Sequence, residues 1–115
     1  MPSFRASLGI VDALPGVPPE AVLEAARAAV AEVRHVEDSH VDVEPVIRGD
    51  GIPRVVVRFV EPAGSPADED ARAWAAATRM ATAVREVATT ASLRLHRRQR
   101  GRWQPRPNPG TDPGW

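Results

Sequence analysis

In the run HVEDSHVDVEP, Asp38, His40, Asp42 and Glu44 alternate, which sets one imidazole and three carboxylates on one face of an extended segment. Those donor types suit a divalent cation, but the spacing does not. Side chains two residues apart on a strand stand about 6.5–7 Å apart and converge poorly on one ion. Arg54 and Arg58 follow closely in sequence as counter-charges, so the expectation is an ion-paired strand face, with no metal and no cofactor. Ser39 and His40 are adjacent and point to opposite faces, which rules them out as nucleophile and base. The remaining histidines, His35 and His96, are scattered, and there is no G-x-S-x-G, H-E-x-x-H or P-loop motif. The absence of cysteine removes thiol nucleophiles, thiolate metal sites and disulfides. No catalytic residue is assigned.

The second chemically suggestive stretch is SLRLHRRQRGRWQPRP. Arg97, Arg98, Arg100, Arg102 and Arg106, with Trp103 among them, are the candidates for binding a polyanion, where arginines neutralise phosphates and a tryptophan stacks on a base. Composition tempers this reading. All fifteen bases are arginine, there is no lysine or tyrosine, and alanine is abundant. A bacterial genome rich in G and C produces that skew without any demand from function. The charge is still uneven: the first 62 residues hold ten acids and six arginines, the last 23 one acid and six arginines. An acidic body with a basic end steers toward a polyanion, or lets the end fold back on the body.

At 115 residues the chain has room for one core. Its longest apolar stretches, 21–33 and 71–84, are broken by Glu24, Arg27, Arg72 and Arg79, far short of the roughly 20 apolar residues of a membrane span. The N-terminus lacks the apolar run of a secretory signal. A cytoplasmic location with no membrane partner is expected.

The elements that would carry these residues follow from periodicity. Phe4, Ala6, Leu8 and Ile10 alternate with Arg5 and Ser7 as in a half-buried strand. Leu23, Ala26, Val30 and Val33 recur at helical spacing behind Pro18 and Pro19, giving a helix over about 19–34. Two extended segments around RGDGIP form a β-hairpin, with Gly49 and Gly51 serving the turn. Pairing about Asp50 sets Val43 opposite Val57, Val41 opposite Phe59 and Asp42 opposite Arg58. Ser65, Pro66 and Asp68 open a second helix, continued by Trp74, Ala77, Ala81 and Val84. After Thr89 and Thr90, Leu93 and Leu95 alternate with Arg94 and His96 as a fourth strand.

The resulting order, βαββαβ, is the ferredoxin-like pattern: an α+β two-layer sandwich with a four-stranded antiparallel sheet, order 4-1-3-2, and both helices on one face. It occupies 1–98. Residues 99–115, rich in proline and glycine, read as a basic, disordered C-terminal tail. The open sheet face is expected to expose Arg5, His40, Asp42, Glu44, Arg54, Arg58 and His96, with Val56 and Val60 beside them.

Three comparisons within this pattern fail on residues. A heavy-metal-binding domain needs a C-x-x-C pair. An RNA-recognition motif needs aromatic residues on strands one and three, where Arg5, Ser7, Arg54, Val56 and Arg58 stand. An acylphosphatase needs a phosphate-cradling glycine loop after strand one, and VDALPGVPP does not match it. The leading expectation is a non-catalytic binding or protein-interaction domain, self-associating as a homodimer through the open sheet face or a strand edge. A nucleic-acid-associated protein using the basic end is the alternative, and a small dimeric enzyme with a pocket on the open face is the third.

Overall fold

The computed structural model describes residues 1–43, 45–47 and 51–108. Its elements are β1 (Ser3–Ala13), α1 (Pro19–Ala31), β2 (Val36–Val43), β3 (Pro53–Val60), α2 (Pro66–Arg85), β4 (Ala88–Gln99) and β5 (Arg102–Pro105). They form an α+β fold with two helices and one antiparallel sheet in the order β2-β3-β1-β4-β5.

The expected four-stranded sheet is therefore corrected to five strands. Read as a tail by composition, the segment after residue 98 instead carries β4 to Gln99, turns, and returns as β5 beside β4. Arg100 and Gly101 make the turn, with φ of 52° and 75°. Positive φ at both central residues is the two-residue hairpin geometry whose twist matches the flanking strands, and glycine adopts it without steric cost.

Each helix starts at a proline, and α2 adds a side-chain cap. Pro19 opens α1, and the Ser65 hydroxyl accepts a hydrogen bond from the Asp68 N–H (3.2 Å) at the head of α2. Helix α1 ends at Ala31, three residues short of the expected Arg34, and Val33 falls outside it and is exposed. Between helices and sheet lie Phe4, Ala6, Leu8, Val30, Val57, Phe59, Met80 and Leu95, all but sealed from solvent.

The β2–β3 pairing differs in register from the expectation. Val43 faces Pro53, Asp42 faces Arg54, Val41 faces Val55 and Asp38 faces Arg58, a slip of four residues. An even slip leaves every side chain on its expected face. Pro45 has no N–H to give a ladder, and β2 ends ahead of it at Val43. Of the turn, Arg48, Gly49 and Asp50 lie outside the described residues, as does the candidate Glu44.

Candidate functional site

Alternation divides the sheet. Phe4, Ala6, Leu8, Val55, Val57, Phe59, Leu93 and Leu95 face the helices. Arg5, Ser7, Asp38, His40, Asp42, Arg54, Val56, Arg58, Arg94, His96, Arg98 and Trp103 belong to the opposite face.

The opposite face is not the open surface the sequence suggested. Val56, expected to be exposed, is 3% accessible, Arg54 is 2% accessible and Ser7 is buried; Val60 is half-buried. The Arg54 guanidinium donates to the Ser7 hydroxyl (3.3 Å), the Ser7 carbonyl (3.0 Å) and the Ser92 carbonyl (2.6 Å), tying β3 to β1 and β4. Long side chains lie along the face rather than standing off it. Arg58 starts on β3 and Trp103 on β5, with β1 and β4 between them, yet the Arg58 guanidinium carbon is 5.3 Å from the Trp103 ring centroid. Arginine stems cover apolar surface while their heads stay polar, which explains how Val56 is shielded without a helix.

Two groupings result. A cavity of about 120 Å³ is lined by Arg5, Ser7, Asp42, Arg54, Val56, Arg94 and His96; His40 and Arg58 do not line it. Beside it, Arg5, Arg58 and Arg98 stand 4.9, 5.3 and 5.5 Å from the centroid of Trp103. Arg98 and Trp103 of the basic end thus share one surface with the open-face candidates Arg5 and Arg58, although the two sets come from separate parts of the sequence. His40 keeps to the β2 edge, where its Nδ1 is 3.1 Å from Asp38. Among the described residues no three histidine or acidic side chains converge as a metal site.

The rest of the basic end divides differently. Arg97 follows Leu93 and Leu95 onto the helix side, donating to Glu69 (2.8 Å) and Asp70 (3.0 Å) at the head of α2. Arg106 approaches Asp70 at 3.5 Å. These two arginines therefore pack on the acidic body. Hydrogen bonds from Arg97 and then from the Gly64 N–H hold the Glu69 carboxyl below the usual carboxylate range. Arg100 and Arg102 are exposed at the β4–β5 turn, beside a groove of about 710 Å³ that Gln99 and Gln104 also line.

Glu61 is a fully buried charge that the sequence reading did not single out. It binds Arg34 at 2.6 Å and lies 3.6 Å from Arg72. It continues the inward series Val55, Val57, Phe59, just as Arg97 continues Leu93, Leu95. A charge at the next inward position of a strand was the available signal for both, since a buried charge requires a partner.

The chain matches no family model, no curated protein and no solved structure. No helix among the described residues is long and apolar enough to cross a membrane.

Proposed function

We propose that the chain is a non-catalytic interaction domain that pairs with a second copy of itself along the β2 edge. Its first six elements read as a ferredoxin-like core, βαββαβ, to which the β4–β5 hairpin adds an edge strand. The observation that carries the proposal is the exposure of β2. Val41 and Val43 are 52% and 64% accessible, although Val55, the residue facing Val41, is buried. Val46 and Ile47 extend the apolar surface. Such an edge, with unpaired backbone groups and bare valines, is a template for another strand.

The sequence of β2 favours a second copy. In an antiparallel pair centred on Val41, that valine meets its own counterpart, His40 faces Asp42 on both sides, and Ser39 faces Val43. An imidazole against a carboxylate and a valine against a valine are compatible with a two-fold interface. The opposite sheet face supports assembly less well, because Val56 is already covered within one copy. An enzyme would use the small cavity, but its hydroxyl, Ser7, accepts from the Arg54 guanidinium, and a cation on that oxygen lowers its nucleophilicity.

Sedimentation equilibrium tests the reading. The protein should form dimers, and Val41→Lys, which sets two cations against each other at the centre of the interface, should leave monomers with the thermal midpoint nearly unchanged. A monomer at every concentration, or a dimer indifferent to Val41→Lys, would overturn it.

A further inference from the structure

We infer that the face opposite the helices binds single-stranded nucleic acid, with Trp103 as a stacking platform and Arg5, Arg58 and Arg98 as its phosphate contacts. Three guanidinium groups lie within 5.5 Å of one ring centroid. Arg58 Nε donates to Glu37 at 3.1 Å, and among the described residues neither Arg5 nor Arg98 has an ion pair with an acid. Positive charge gathered this closely repels itself. Each cation–π contact at a partly exposed site returns only about 0.5–1 kcal/mol, so an anion entering the cluster gains from charge that the fold leaves uncompensated.

A genome biased toward arginine explains why these cations are not lysines. It does not explain why residues from β3, β1 and β4 converge on a tryptophan from β5. The charge also runs across the sheet, from Arg58 on β3 and Arg5 on β1 to Arg98 on β4 and the exposed Arg100 at the hairpin turn, whereas Arg102, paired with Gln99, falls on the helix side. A cationic track across a sheet, with an aromatic ring set in it, suits a flexible strand whose phosphates follow the arginines and whose bases are free to stack. A compact inorganic anion would need neither the ring nor the length. The β2 edge lies at the other side of the sheet, so this site does not depend on self-association.

Fluorescence anisotropy of a labelled oligothymidylate, titrated with protein over a series of salt concentrations, tests the inference. The unaltered chain should bind at low salt and weaken as salt rises. Arg98→Gln should reduce the slope of log affinity against log salt by about 0.7, the share of one phosphate contact on a single strand. Trp103→Leu should weaken binding about 5- to 100-fold, and Trp103→Phe, which keeps a stacking ring, should recover most of that loss. Arg27→Gln on α1, whose guanidinium is engaged by Glu24, should bind as the unaltered chain does, and so should Val41→Lys. Three results would overturn the inference. They are no binding at low salt, an equal loss in Arg27→Gln, or affinity for heparin and oligothymidylate alike that Trp103→Leu does not change, which would mark a surface that reads charge alone.

Discussion

Val57 and Val56 are neighbours on β3 that point to opposite sides of the sheet, and both are buried. Val57 lies in the apolar layer under the helices. Val56 lies among arginines, beside Ser7 and a small polar cavity. One face is closed by packing elements against it, the other by long side chains of the strands themselves. An antiparallel sheet usually leaves one face to water; here the arginines cover it without making it apolar. The consequence is a surface whose backbone and valine are protected while its chemistry stays cationic. The β2 edge contrasts with both faces, since its valines have neither kind of cover.

The comparison breaks most visibly in stability. Val57→Ala should cost about 2 kcal/mol, from two buried methyl groups and the cavity they leave. If the arginine stems cover the opposite face as described, Val56→Ala should cost nearly as much in urea denaturation. A neutral Val56→Ala would mean that the second face is open in solution.

A smaller effect concerns the arginine that went to the helix side. Arg97 holds the Glu69 carboxyl below its ordinary range, so this pairing adds stability above the unfolded-state value, about 4.3, and loses it as pH falls through the lower folded-state value. Thermal melts of Glu69→Gln should fall below those of the unaltered chain at neutral pH and approach them in acid. A constant gap down to acid pH would show that the carboxylate charge is not what Arg97 recognises.

Much of this architecture was legible because period-two alternation survives errors of register. Arg5, Asp42, Arg54, Arg58 and His96 lie on the expected face even though the β2–β3 pairing slipped by four residues, since a slip of even length does not exchange faces. The slip itself came from centring the hairpin on Asp50, whereas the pairing is centred two residues earlier. The fifth strand was hidden by composition: proline and glycine between Gln99 and Trp115 suggested a tail, whereas Arg100–Gly101 between two extended segments carried the turn signal. The burial of Val56 was not legible at all, because alternation gives the side a residue faces and not what lies across it. For the same reason the meeting of Trp103 with Arg5 and Arg58, far apart in sequence, needed the sheet order.

The proposed assembly has a direct measurement in amide hydrogen exchange as a function of protein concentration. Pairing along β2 predicts that the amides of residues 39–43 become slower to exchange as concentration rises, while those of β5, at the opposite edge, stay constant. Exchange in β2 that is independent of concentration, or protection that grows at β5 instead, would contradict it.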